Sequence, residues 1–118
     1  MDLDAFRTYC LKKKGTTEET PFGEDALVYK VMGKIFAITG FEKPLRVNLK
    51  CDPERVVELR EEYDEVLPGY HMNKKHWNTV ISRGRISDKL LKELTDHSYD
   101  LIVKSLKRAD KEKLQSIS

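Results

Sequence analysis

Hydrophobic and polar positions in the first third of the chain predict one helix and two strands. The helix starts after Asp2, which can cap it, and its apolar residues recur every three to four positions. Residues 16–25 are polar and acidic, so we expect a loop there. Apolar runs at 26–32 and 35–39 predict a hairpin whose tight turn holds Gly33.

The rest of the chain predicts three more strands and two more helices. Residues 45–50 alternate between apolar and polar side chains, which is typical of a strand whose outer face is wet or covered by a partner. An Asp-Pro pair opens a helix over residues 53–63. Residues 70–74 and 75–82 predict two further strands, and Ser87 caps a long last helix.

This order of elements predicts an α+β fold. The order is α-β3-α-β2-α, in a single two-layer domain formed by residues 1–107. We expect an antiparallel sheet with the helices packed on one face. Residues 108–118 are polar and predict a frayed C-terminal tail.

Charge and cysteine content narrow the class of protein. The 118 residues carry a net charge of only +2, which excludes a generally basic nucleic-acid coat protein. Cys10 and Cys51 form no CxxC pair, the N-terminus has no signal-like apolar stretch, and the longest apolar runs are far too short to span a bilayer. We therefore expect a cytoplasmic protein with free thiols and no membrane partner.

One basic, aromatic segment departs from this balanced charge. Residues 66–87 contain two lysines and two arginines but no aspartate or glutamate, and they hold the only tryptophan. In a strand Trp77 and Ile81 share one face, which we expect to be the core face, whereas His76 and Asn78 share the outer face. Outward amides, imidazoles and cations suit phosphates and base edges, although a solvated, charge-protected edge strand gives the same pattern. The candidate nucleic-acid contacts are Lys74, Lys75, His76, Asn78, Arg83 and Arg85.

Outward positions on the earlier strands predict a secondary basic surface. It would comprise Lys30, Arg46, Asn48 and Lys50. Simple solvation of an exposed sheet face explains the same residues.

Histidine and cysteine positions give no complete catalytic or metal-binding signature. His71 and His76 are five residues apart, and an odd separation along one strand points two side chains to opposite faces. His97 lies on the apolar stripe of the last helix, at the expected edge of the core. No motif links Cys51 to a base, and the sequence has no glycine-rich phosphate loop. We expect no metal ion, cofactor or catalytic residue, and we keep an unrecognised enzyme or ligand site around the three histidines as a third hypothesis.

Five strings in the chain resemble the MmcQ/YjbR family of small bacterial proteins. They are TPFG at 20–23, VYKV at 28–31, NLKCDP at 48–53, PGYHMNKKHWNTV at 68–80 and DHSYDL at 96–101. The resemblance covers roughly residues 1–106. It implies an α-β3-α-β2-α fold similar to secretion chaperones and, through a likeness to double-wing folds, DNA binding by a β-hairpin.

Two further function hypotheses follow from the residues and the resemblance together. The leading one is a small cytoplasmic DNA-binding or regulatory protein that contacts nucleic acid through a basic β-wing at residues 70–85. The alternative is a peptide- or protein-binding module that uses an open, chaperone-like sheet face. In both cases we expect a monomer or weak dimer.

Overall fold

The computed structural model describes residues 1–21 and 23–117. Phe22, in the TPFG string, and Ser118, at the end of the predicted tail, lie outside the described residues. The helices are α1 (Leu3–Leu11), α2 (Pro53–Glu62), α3 (Asp88–Ser105) and α4 (Arg108–Ser116), and a short 3-10 turn spans Gly23–Asp25. The strands are β1 (Thr16–Glu19), β2 (Leu27–Val31), β3 (Lys34–Thr39), β4 (Arg46–Lys50), β5 (Val66–Pro68) and β6 (Trp77–Ile81).

The strands form one open sheet in the order β1-β2-β3-β4-β6-β5. Every neighbouring pair is antiparallel. After β4 the chain passes through α2, lays down β5 at the edge of the sheet, and returns as β6 between β4 and β5. This architecture confirms the predicted α+β class.

The helices pack on one face of the sheet, called the helix face below. Phe6 of α1 meets Tyr29 of β2 edge-to-face with ring centroids 5.7 Å apart, and Tyr99 of α3 meets Phe36 of β3 at 5.3 Å. Apolar residues of α2 and α4 join the same core. Side chains that point to the other side of the strands lie on what we call the open face.

Helix starts follow the local signals in the sequence. Asp2 Oδ1 accepts a hydrogen bond from a first-turn amide of α1 at 2.8 Å, and Ser87 Oγ accepts one from α3 at 3.0 Å. α2 begins at Pro53, whose lack of an N–H is harmless in a first turn, although the Asp52 side chain makes no capping bond. Within the described residues, no helix combines the length and apolar character needed to cross a bilayer.

Two predictions for polar segments were wrong. The expected loop at 16–25 contains β1, whose Glu18 accepts two hydrogen bonds from the Arg7 guanidinium of α1 at 2.8 and 2.9 Å. The expected frayed tail is helix α4, which buries Leu114 against the core. Neither segment shows apolar periodicity in the sequence. β1 is held mainly by backbone pairing with β2, and α4 contributes a single buried side chain to the core, so neither element requires an apolar stripe.

The predicted strands at 70–74 and 75–82 also differ from the structure. Residues 69–76 form a loop between β5 and β6. Turn bonds fold this loop, since Asn73 O accepts from the amides of His76 and Trp77 at 3.2 and 3.0 Å, and Asn73 Oδ1 accepts from the Lys75 amide at 2.9 Å. The segment is therefore a hairpin with a long, structured loop rather than a continuous pair of strands.

Candidate binding site on the open sheet face

The register of β6 reverses the orientation that the sequence predicted for it. Trp77 pairs with Lys50 and lies half-buried on the open face, whereas Asn78 pairs with Leu49 on the helix face and is only 1% exposed. The prediction that Asn78 points outward was therefore wrong. Ile81, on the same side as Trp77, is nevertheless buried.

Asn78 is held under α2 by a polar clamp. Its Oδ1 accepts a hydrogen bond from Arg60 Nε at 2.6 Å, and its Nδ2 donates to Val56 O at 3.3 Å. Arg60 Nη2 donates to Trp77 O at 3.1 Å and also to Lys74 O. One guanidinium of the helix layer thus fixes β6 and the last part of the loop that precedes it.

Gly69, directly after β5, allows the backbone of the loop to run close to Trp77 of β6. Its amide donates to Trp77 O at 3.0 Å. A Cβ at this position would lie 2.8 Å from Trp77 Cβ and 2.9 Å from Trp77 O, which is too close for any larger residue. Glycine is required here by close approach rather than by a positive φ.

Asn48 and Thr79 anchor the other end of the loop to the open face. Thr79 Oγ1 accepts from the Tyr70 amide at 3.1 Å and donates to Asn48 Oδ1, while Asn48 Nδ2 donates to Tyr70 O at 3.2 Å. The three groups close a small hydrogen-bonded ring. Asn48, predicted as part of a basic surface, thereby fixes the backbone of Tyr70.

A cleft of about 890 Å³ lies on the open face between two loops. Residues 40–44 form one wall and residues 68–72 the other. Arg46, Asn48 and Thr79 reach it from the strands beneath. The remaining lining is mostly apolar and includes Ile35, Ile38, Pro44, Leu67, Tyr70 and Met72.

Tyr70 and His71 form an exposed aromatic pair at the rim of this cleft. Their ring centroids lie 4.0 Å apart, and Tyr70 is 69% exposed. His71 adopts a φ of 57°, which is uncommon for a residue with a side chain. A large exposed aromatic side chain beside an apolar cleft is typical of a contact surface.

The secondary basic surface does share one face, as parity predicts. Lys30, Arg46, Asn48 and Lys50 all point to the open side of β2 and β4. Lys30 Nζ pairs with Glu19 Oε2 at 2.7 Å. Among the described carboxylates, none forms an ion pair with Arg46 or Lys50.

The six candidate nucleic-acid contacts do not come together. Lys74 and Lys75 precede β6 and Arg83 and Arg85 follow it, so the two groups are separated by a strand about 15 Å long. Arg85 Nη1 donates to Glu62 O at 2.8 Å, and its guanidinium lies 4.8 Å from the centre of the Tyr63 ring at the end of α2. Asn78 is buried, and Lys74 Nζ donates to a loop carbonyl at 3.3 Å.

The three histidines lie in different surroundings. His71 borders the cleft, His76 accepts from the Cys51 amide through its carbonyl at 2.8 Å, and His97 Nε2 accepts from the Asp52 amide at 3.3 Å. The described part of the chain holds no group of three or more acidic, histidine or cysteine side chains suited to a metal ion. His97 thus ties α3 to the start of α2, at the core edge where the sequence predicts it.

Both cysteines are buried and free. Burial raises the pKa of Cys51 to about 11 and that of Cys10 to about 12. A thiol needs a lowered pKa to serve as a nucleophile at neutral pH, so the environments of these thiols favour packing over chemistry.

Sequence reasoning missed most of the cleft. Ile35, Ile38 and Leu67 were not among the predicted site residues, and Tyr70 was included only as the first residue of the predicted β-wing. One signal was present in the sequence. β3 carries apolar residues at both odd and even positions, which predicts that neither face of that strand is fully exposed to solvent. The walls depend on two loops, whose paths periodicity does not determine.

Comparison with known proteins places the chain in a family. The YjbR family model matches residues 11–101. YbdF of Escherichia coli O157:H7 is 38% identical over 80% of this chain and 79% of its own length, and YjbR of Escherichia coli K12 is 33% identical over 90% and 91%. A crystal structure of a Deinococcus radiodurans protein with a DUF419 domain superposes with a TM-score of 0.90 at 38% identity, over 97% of this chain and 88% of that one. A Pseudomonas syringae protein gives a TM-score of 0.75 at 29% identity, over 86% and 98%. The chain therefore belongs to the YjbR family.

Proposed function

We propose that this protein is a binding module whose open sheet face accepts an extended segment of another protein. The observation that supports the proposal is the cleft of about 890 Å³ between the 40–44 and 68–72 loops. Its volume lies within the range of about 300–1,000 Å³ that is usual for small-ligand sites. Its apolar lining with a few polar groups suits side chains presented by a peptide.

Charge favours a protein segment over duplex DNA as the occupant of the cleft. Proteins that bind DNA tightly commonly neutralise about 6–10 phosphates. The open-face strands carry three cations, Lys30, Arg46 and Lys50, and Lys30 already pairs with Glu19. Apolar atoms, not cations, form most of the lining surface.

Peptide selection followed by NMR mapping tests this proposal. Peptides selected from a random display library against the whole protein should shift backbone resonances of Ile38, Leu67 and Tyr70. Ile38→Glu should abolish binding because it buries a charge in the lining. Val57→Glu, which also replaces an apolar β-branched residue by glutamate but at an exposed site on α2, should leave binding intact. Shifts that map outside the open face, or binding that survives Ile38→Glu, would contradict the proposal.

A second candidate function is contact with nucleic acid at the loop end of the β5–β6 hairpin. Lys50 pairs with Trp77 at the start of β6, and Lys74 and Lys75 come just before it. These three lysines could hold phosphates while Trp77 or Tyr70 stacks on a base.

Salt dependence distinguishes this second candidate. Binding of labelled single-stranded or duplex DNA should weaken as salt rises, and Lys74→Ala/Lys75→Ala should reduce the log–log slope by about 2. Lys111→Ala/Lys113→Ala on α4 removes the same charge elsewhere and should leave the slope nearly unchanged. Absence of wild-type binding at low salt would exclude the candidate.

A further inference from the structure

We infer that the segment bound in the cleft is acidic as well as apolar, and that one of its carboxylates pairs with Arg46. This inference rests on the proposed function and specifies the chemistry of the occupant. It assigns to Arg46 the role of selecting the partner, while the apolar lining supplies most of the contact area.

The charges of the open-face strands support an acidic partner. The strands carry three cations on the open face, Lys30, Arg46 and Lys50. They carry one carboxylate there, Glu19, which pairs with Lys30. Two cations of the central strand β4 thus have no ion-pair partner among the described residues. Of these two, only Arg46 lines the cleft.

The acidic residues at the cleft do not neutralise Arg46. Asp25 ends the 3-10 turn, Glu42 lies in the 40–44 loop, and Lys43 lies beside Glu42 in the same wall. The Glu42 carboxylate folds over its own loop, where it occupies the space beside Gly40. The rim therefore carries both signs of charge, whereas the strand floor beneath it carries the unpaired guanidinium.

The position of Arg46 suits a carboxylate better than a neutral group. Its cross-strand neighbour is the buried Ile81, and the surface of the cleft around it is mostly apolar. An ion pair that forms where a bound segment excludes water is stronger than one in bulk solvent. A guanidinium also binds a carboxylate through two parallel hydrogen bonds, which a lysine cannot do.

Three labelled probes test the inference by fluorescence anisotropy. They are a heptapeptide that alternates leucine with aspartate and its asparagine and lysine analogues. We expect the aspartate peptide to bind most tightly and the lysine peptide most weakly. Arg46→Gln should weaken the aspartate peptide by about tenfold and leave the asparagine peptide unchanged, while Arg46→Lys should fall between wild type and Arg46→Gln.

Arg108→Gln, at a fully solvated position on α4, is the matched control and should change nothing. Equal affinity for the aspartate and asparagine peptides would overturn the acidic preference but leave the binding module standing. Equal loss of both peptides in Arg46→Gln would assign Arg46 a packing role and overturn the inference. If none of the three peptides binds, and display selection also yields none, the proposed function itself fails.

Discussion

Substitution of Asn78 by alanine should destabilise the fold strongly. Asn78 is 1% exposed, and its side chain joins Arg60 to β6 and to the Val56 carbonyl. Without it, Arg60 Nε and the Val56 carbonyl each lose one hydrogen bond beneath α2, although Arg60 Nη2 keeps its bonds to two backbone carbonyls. A hydrogen bond to a charged group contributes about 1.5–3 kcal/mol and a neutral one about 0.5–1.5 kcal/mol, so we expect a loss of about 2–4 kcal/mol.

Urea denaturation measures this loss directly. With a slope of about 1–3 kcal/mol per molar urea, the midpoint should fall by roughly 1–2 M. Lys75→Ala, at an exposed position in the same segment, is the control and should change stability by less than about 0.5 kcal/mol. A double-mutant cycle with Arg60→Met should give a coupling free energy of about 1.5–3 kcal/mol.

A midpoint shift for Asn78→Ala no larger than that for Lys75→Ala would contradict the prediction and would mean that the Asn78 side chain is not needed for stability. A cycle with no coupling between Arg60 and Asn78 would mean that their hydrogen bond contributes nothing to stability. An unchanged urea slope is required for the comparison, because a changed slope reports a different unfolded state.

Three other predictions follow from contacts described above. Gly69→Ala should cost about 1–3 kcal/mol in urea denaturation, because its Cβ would lie 2.8 Å from a side chain of β6; an unchanged midpoint would refute this. Cys10 and Cys51, with pKa values raised by burial to about 12 and 11, should resist iodoacetamide at neutral pH and react only after unfolding; fast native-state alkylation of either would contradict this. The hydrogen-bonded Arg7 guanidinium lowers the pKa of Glu18, so this pair stabilises the fold above the unfolded-state pKa and loses its effect as pH falls through the lower folded-state pKa. Arg7→Met should therefore destabilise more near pH 7 than near pH 3, as thermal melts at the two pH values would show.

Local signals determined the helices and the central strands well. Capping at Asp2 and Ser87 and the alternation along β4 each involve only neighbouring residues, so the sequence states them directly. The strand β1 and helix α4 depend on distant partners instead. A polar run such as Thr16–Glu19 becomes a strand only because β2 lies beside it.

The orientation of β6 shows why parity alone was insufficient. Alternation correctly separates Trp77 and Ile81 from Asn78 and Val80, but both pairs contain an apolar residue. Which side faces the helices depends on Arg60, which satisfies a buried amide from eighteen residues away. The assumption that the large indole must be inside therefore gave the wrong face.

Arg60 also connects the helix layer to the sheet layer of this protein. Its guanidinium belongs to the helix side, yet it holds one backbone carbonyl of the 69–76 loop and one at the start of β6. Part of that loop walls the cleft on the opposite side. A ligand that orders this wall should slow solvent exchange of the Arg60 Nε proton, which NMR can follow as a separate signal. The Arg60 Nε proton on the helix face can thus report whether the cleft on the open face is occupied, without a label in the cleft itself.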